Sequence, residues 1–543
     1  MIVLLSLLFK FFIFYFFLYF FGRAFFIILF NNKIENQFDK KKLFEFSITT
    51  FYPLGGLIFL GNLLFVLNFV LPIKNNFIFL ILIFLIFNFK KRLQINDHKH
   101  LIKYLPVYLI LLSTSYSTGF HYDSGLYHLN NQLWIRESNA VLGFSNIYSV
   151  FGVSSIYEYI SSFLWFDKTF ILLHFVNVVF IGLFYQFIIE GVLNHPNIYI
   201  KNAFSMIIIF SLLDNFGFGG GRNGYLYIQS VGKQDVAIAI IYFLVSILIL
   251  YSLKEKKFSN IEIAFLTLVL LFLYQLKISS APIFFLFLMY IYFYTREEKF
   301  KKIVKALLPA SILGTLWILK SIIHSGCIIF PLTSSCFKSL DWVDIDYLKA
   351  VQEVSVSYSN SYYFNSSFSN WLVQYFENGI NKNIILNFLL SLFIILILNI
   401  RSIENKFSVK ENVLIALFVF VNIIFYLRFG PDVRYLIGFQ MFLVGLVGFY
   451  SSTQIKLNKY LILATIYLSV LLVPRLQSYN MTNFSSVPQV VPSDIETIEF
   501  KGRLYPKTGD QCWVNLKCSA NRNFFYIIEE NKFYKKALLD INR

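Results

Sequence analysis

"DVAIAIIYFLVSILILYSLKEKK", residues 235–257, decides how the whole chain is read. An aspartate opens it, an apolar run from Val236 to Leu253 follows, and Lys254, Lys256 and Lys257 close it. A helix crosses the ~30 Å of bilayer hydrocarbon with about 20 such residues. In lipid the backbone must bond within its own segment, so the run is a helix. Similar blocks recur near 3–30, 46–71, 76–89, 101–115, 169–192, 201–215, 261–276, 281–295, 303–323, 384–400, 411–428, 433–450 and 459–474. Blocks 76–89 and 281–295 are short enough to be half-helices, which leaves twelve to fourteen spans. No strand-like alternation is visible, so the fold class is an all-α, polytopic transmembrane bundle. The first block is not followed by a small-residue cleavage site and reads as a retained helix.

Composition agrees. Of 543 residues 57% are hydrophobic and 66 are Phe, too much apolar surface for a soluble exterior. The net charge of +17 does not indicate nucleic acid, because the basic residues lie in alternate short loops. They cluster at Lys33 and Lys40–Lys42, at Lys90–Arg92, at Lys254–Lys257, at Arg296–Lys305, at Arg401–Lys410 and at Lys456–Lys459. The intervening loops are nearly free of them, which is the positive-inside pattern. It places those loops in the cytoplasm, and 116–168, 324–382 and 475–543 on the other side. Residues 1–474 then form the transmembrane domain, and 475–543 a small, irregular extracytoplasmic region. Near-helical spacing in "LYHLNNQLWI" and "SSIYEYISSFLW" predicts amphipathic helices lying at the membrane interface within 116–168.

The four cysteines all fall on the outer side, where disulfides persist. Their spacing favours Cys327–Cys336 and Cys512–Cys518 over the other pairings.

Chemistry concentrates in "GFHYDSGLYHLNNQLW", residues 119–134. A carboxylate at a membrane face needs a partner or a task. Asp123 is either the N-cap of a helix carrying Tyr127 and His128, or a general base beside an apolar pocket. His121 could share an ion with it, but one acidic residue makes a poor divalent site, so no metal is assigned. A second cluster, "LRFGPDVRY" at 427–435, keeps Arg428 and Arg434 outside. Either they bind phosphate through their planar forks, or one pairs with Asp432 to fix a turn. Lys277 either snorkels or assists at phosphate. The Gly-rich segment 216–234 contains Arg222 and leads through Lys233 to Asp235, a turn-to-helix arrangement able to hold an anion. His324, alone at a span end, reads as structural.

Five landmarks in order give a resemblance: "YDSGLYHL" at 122–129, "KISSAP" at 277–282, "HSGCIIFP" at 324–331, "GPDVRY" at 430–435 and "GDQCW" at 509–513. The chain resembles a family of bacterial polytopic membrane proteins whose layout is like that of GT-C glycosyltransferases. The resemblance implies an enzyme of the bacterial cytoplasmic membrane with its site on the extracytoplasmic face. It would take sugar from a polyprenyl-phosphate-linked donor and give it to a glycan or lipid acceptor. Carried over, the catalytic role falls on Asp123 with His121 and His128, and donor phosphate on Arg434, Arg428 and Lys277. Tyr122, Tyr127, Arg222 and Asp432 would line the substrate pocket. Metal-dependent members often show two nearby acidic residues where this chain has Asp123 alone, the next acid being Glu137. The competing classes are a polysaccharide polymerase or ligase with similar donor chemistry, and a lipid-linked oligosaccharide flippase or transporter. A transporter is expected to carry charge in mid-span, whereas most ionisable residues here stand at span ends or in loops; Lys10 and Arg23 are exceptions.

Overall fold

The computed structural model describes residues 2–30, 42–90, 98–116, 118–166, 170–216, 231–256, 259–294, 300–360, 368–404, 407–429, 433–467, 491–500, 503–519, 526–531 and 534–539. Each of the fourteen apolar blocks carries a helix. Among the described residues, eight helices are long and apolar enough to cross a membrane. Asn76–Ile86, Asn260–Leu276 and Ile283–Phe293 are apolar but shorter. Asn260–Leu276, with 17 residues, rises about 26 Å at ~1.5 Å per residue.

Ile171–Asn194 and Asp235–Glu255 form the middle of the bundle, with 94% of the apolar stretch of each buried. At the margin, Lys301–Ser325, Gly379–Asn399 and Val409–Leu427 are only 17%, 33% and 28% buried. Leu308, Ile312, Leu389, Phe393 and Phe420 face outward from them. So continuous an apolar surface would drive association in water; against hydrocarbon it costs nothing. Helices Ile2–Phe30 and Tyr52–Leu67 make the closest crossing. A Cβ on Gly22 would stand 1.7 Å from the Tyr52 carbonyl oxygen, and one on Gly56 1.9 Å from that of Leu18. Small residues let membrane helices approach to van der Waals contact where no hydrophobic force joins them.

Polar segments gather at two ends. At one end Glu262 accepts from the Phe44 amide (2.8 Å) and Glu255 from Asn197 (2.7 Å), while Asn202 donates to the Ser451 carbonyl (3.1 Å). Ser259 and Glu262 form a capping box there: the Ser259 hydroxyl accepts from the Glu262 amide and donates to its carboxylate. At the other end the first large loop meets Val231, Gln234, Leu276, Ile323, Trp342, Tyr347, residues 510–515 and residues 535–537.

The first large loop corrects one expectation. Leu129–Glu137 and Ile156–Phe163 are helical as the spacing indicates, but they pack inside the protein. Seven of the eight residues in Ile156–Phe163 are buried, Glu158 among them. That helix packs against Tyr52–Leu67 and Leu129–Glu137, and Leu129–Glu137 meets the tail through Asn130, which donates to the Asn515 carbonyl (2.7 Å). The tail corrects a second. Rather than irregular, it carries two antiparallel hairpins, Thr497–Phe500 with Arg503–Pro506 and Tyr526–Glu530 with Lys535–Leu539. The protein is therefore mostly helical, with a few short strands. Ala537 donates its amide to the Leu142 carbonyl (2.8 Å), and Lys536 pairs with Asp341. Cys327–Cys336 and Cys512–Cys518 are both disulfide-bonded, as the spacing indicated.

The Gly56 crossing gives the first prediction. Gly56→Leu must push its helix from Leu18 and lower stability by about 1–3 kcal/mol, the usual cost of overpacking. Thermal unfolding of the full chain in detergent should show a lower midpoint for this variant than for Gly314→Leu, whose Cβ position has its nearest neighbour at 3.6 Å.

Candidate functional site

Backbone places the site before any side chain does. Phe120 and Val231 form a parallel bridge, with the His121 amide donating to the Val231 carbonyl (3.1 Å) and the Val231 amide to the Gly119 carbonyl (3.0 Å). Gly232 follows at φ +96°, and a Cβ there would lie 2.2 Å from the Ser124 hydroxyl. Only glycine suits both the angle and the space. The turn delivers Lys233 to Asp123, Nζ to Oδ2 at 2.7 Å. Two residues on, Asp235 opens the helix Asp235–Glu255.

Asp123 stands at the N-cap of a π-helical turn, Ser124–His128, yet its side chain makes no capping bond. The capping reading is therefore replaced by an ion pair. His121 joins it, Nδ1 lying 3.3 Å from the carboxylate and 3.1 Å from the Asp123 amide. That nitrogen accepts from the amide when bare and donates to the carboxylate when protonated, so the ring fits both states. Burial alone would raise the Asp123 pKa. Hydrogen bonds from His121 and Lys233 outweigh it and hold the carboxyl well below the usual range.

A second charged group stands beside the first. Lys277 reaches Asp235 at 3.1 Å, and Arg434 approaches the other oxygen at 4.0 Å, the limit of an ion pair. The Tyr435 ring lies against both cations, with centroid distances of 4.1 Å and 5.1 Å. Burial acts against the Lys277 charge, but the nearby Asp235 carboxylate leaves the ammonium above its ordinary pKa. Lys277 is thus a paired cation rather than a snorkelling one. Asp235, Ser279, Ser280 and Arg434 line a narrow cleft together with Ile238, Ala239 and Tyr242.

Tyr127 ties the two groups together. It is pushed well above the ordinary phenol range first by burial, then by the fields of Asp123, Glu158 and Tyr435, with Arg434 opposing. His128 turns to a carboxylate that the sequence reading passed over, Glu158, at 2.5 Å. Glu158 also accepts from Gln132 (2.7 Å), which in turn accepts from the Trp165 indole (2.8 Å). "SIYE", residues 155–158, has capping-box spacing. Ser155 does cap, accepting from the Tyr157 amide, but the glutamate is diverted inward to His128. An acid inside so apolar a stretch was the available signal. Glu137, the next acid after Asp123, lies outside the site and pairs with Lys74 at 2.9 Å.

The tail closes the group. The Tyr122 hydroxyl donates to Asp510, and Gln511 donates to the Tyr122 carbonyl (2.8 Å). The Trp513 amide donates to the Gly125 carbonyl (2.8 Å), and its indole leaves no room for a Cβ on Gly125. No spacing rule could have linked Tyr122 to an acid 388 residues away. The structure thus unites Asp123, His121, Tyr122 and Tyr127 with Lys277 and Arg434, and sets His128 behind them with Glu158. Arg222, Asp432 and the Arg428 side chain lie outside the described residues. Among the described residues no three His, Cys, Asp or Glu side chains converge as metal ligands.

These features define a mostly helical bundle, with eight membrane-length helices among the described residues and a twice-paired charged cluster at one end. The chain belongs to the family described as Domain of unknown function (DUF8201), which matches residues 1–441. No curated protein and no solved structure matches it.

The bond to Asp510 raises the Tyr122 pKa to about 12. In Asp510→Asn it should fall toward the ordinary ~10. Ultraviolet titration of tyrosinate, with Tyr122→Phe subtracted, checks this; an unchanged midpoint would mean that the tail carboxylate does not reach the loop.

Proposed function

We propose that the protein is an integral-membrane, GT-C-like glycosyltransferase. It moves a sugar from a polyprenyl-phosphate-linked donor to a glycan or lipid acceptor on the extracytoplasmic face of a bacterial cytoplasmic membrane. One observation carries this reading: Asp123, Lys277 and Arg434, far apart in sequence, gather around Lys233 and Asp235 at a single end of the bundle.

Each part has a task in such a transfer. The acceptor hydroxyl attacks the anomeric carbon, its proton passes to Asp123, and the bond from that carbon to the phosphate oxygen breaks with its electron pair leaving on phosphate. Arg434 and Lys277 offset the charge that develops there; in a water-poor setting such fixed charges act strongly. Phosphate is a good leaving group, so orientation and exclusion of water supply much of the rest. The narrow cleft beside Arg434 mixes polar and apolar lining, which supports an amphiphilic ligand in the reading proposed here. Transport is the weaker reading, because the ionisable residues of the site stand at helix ends.

The direct test is transfer from a lipid-linked sugar in membranes at matched expression. Asp123→Asn, which keeps size, should lower the rate by roughly 10²- to 10⁴-fold. Arg434→Lys keeps charge but loses the fork, so it should mainly weaken donor binding. Full transfer by Asp123→Asn would remove the base. The orientation has its own check: a reporter fused after residue 480 should be active only outside the cytoplasm.

A further inference from the structure

Lys233 has no part in the transfer as drawn so far, yet it occupies the centre of the site. Its ammonium covers one oxygen of Asp123 at 2.7 Å, and its charge also acts on Asp235 two residues along the chain. Asp235 in turn gathers Lys277 and Arg434. Three cations thus stand around two carboxylates, with Lys233 the one between them. The pair is largely closed to solvent, the side chains being 12% exposed for Lys233 and 22% for Asp123. Lys277 and Arg434 are more open, at 24% and 36%. An anion arriving from outside therefore meets those two cations first.

The backbone of Lys233 is pinned, by the Val231 bridge on one side and by Gly232 against Ser124. Its head is not, since a lysine ammonium rides on a four-carbon stem and can reorient among acceptors. A carboxylate held by an ammonium is poorly placed to accept a hydroxyl proton. Something must take Lys233 away before Asp123 can act.

We propose that Lys233 is a phosphate-responsive positioning residue: a phosphate group entering beside Arg434 and Lys277 draws its ammonium off Asp123 and opens that carboxylate to a hydroxyl. The base is then exposed only when the donor is in place, which guards against loss of the sugar to water. The protective consequence rests on the transferase reading; the handover itself requires only a phosphate. The groups facing Asp123 are His121 and Tyr122 on its own segment, Tyr127 in the following turn, Tyr148, Lys233, and Asp510 through Tyr122. Of these, Lys233 is the permanent cation.

The experiment follows Asp123 protonation against pH by infrared difference spectroscopy on the full chain in nanodiscs, with Asp123→Asn as the spectral reference. Farnesyl phosphate and inorganic phosphate are the two probes. Loss of Lys233 removes a bond that lowers the Asp123 midpoint, so a bound probe should raise that midpoint by at least about one pH unit, a tenfold change in proton affinity. Response to farnesyl phosphate alone identifies a lipid-borne phosphate; response to both identifies phosphate in general, and either supports the handover. Lys233→Met should show the raised midpoint without probe and no further rise with it, while Lys233→Arg should restore the wild-type response. If neither probe shifts the wild type, the proposal is overturned, and this arm decides even if Lys233→Met fails to fold. A midpoint in folded Lys233→Met equal to wild type also overturns it. A probe-induced shift in a protein without sugar transfer would sink the transferase reading and leave the handover standing.

Discussion

A carboxylate at the end of an apolar bundle is tolerable only with a cation against it, and this protein meets that constraint twice within three residues of chain. Lys233 answers Asp123, and Asp235 is answered by Lys277 and Arg434. Because the partners come from the first large loop and from the ends of three helices, satisfying the charges also fixes where those elements end. Removing one member would leave the other buried without its counter-charge, which costs far more than the pair contributes. The same logic governs Glu158, which is enclosed and held by His128 and Gln132 rather than by solvent.

Much of the bundle was legible because hydrocarbon is a simple solvent. Apolar length, basic loop ends and cysteine placement each follow from one physical rule, and the fourteen blocks and both disulfides appear where those rules put them. Composition marks a segment as apolar, and local caps decide its ends: Ser259 with Glu262 starts Asn260–Leu276, and the extended backbone at Lys277 stops it. The surface-helix reading of 129–163 failed for a related reason. An amphipathic pattern says that one face is apolar and is silent on what covers the other. Here Tyr52–Leu67 and Leu129–Glu137 pack against Ile156–Phe163, and the tail meets Leu129–Glu137 through Asn515.

Within the site, residue types were readable and partnerships were not. Asp123, Arg434 and Lys277 stand out as charges in apolar surroundings. That Asp123 would bond Lys233 and not its own helix depends on the bridge between Phe120 and Val231, a contact 111 residues apart with no local signature. Tyr122 with Asp510 is more distant still. The family match ends at residue 441, whereas Asp510 and Trp513 press on the loop that carries Asp123. One wall of the site is therefore supplied by chain that lies beyond the matched residues.

The depressed pKa of Asp123 at first argues against a catalytic base, since a carboxyl held well below its usual range has little appetite for a proton. The objection applies to the resting arrangement alone. Brønsted behaviour ties the strength of a base to its own pKa, and that of Asp123 is set against burial by two neighbours, His121 and Lys233. Burial persists whatever those neighbours do. If the Lys233 ammonium turns toward another anion, the raising influence remains and part of the lowering one is gone. A resting ion pair of this kind keeps the carboxylate charged and in position without leaving it reactive. Burial, which looks like a penalty in the paired state, then supplies the basicity once the pair opens.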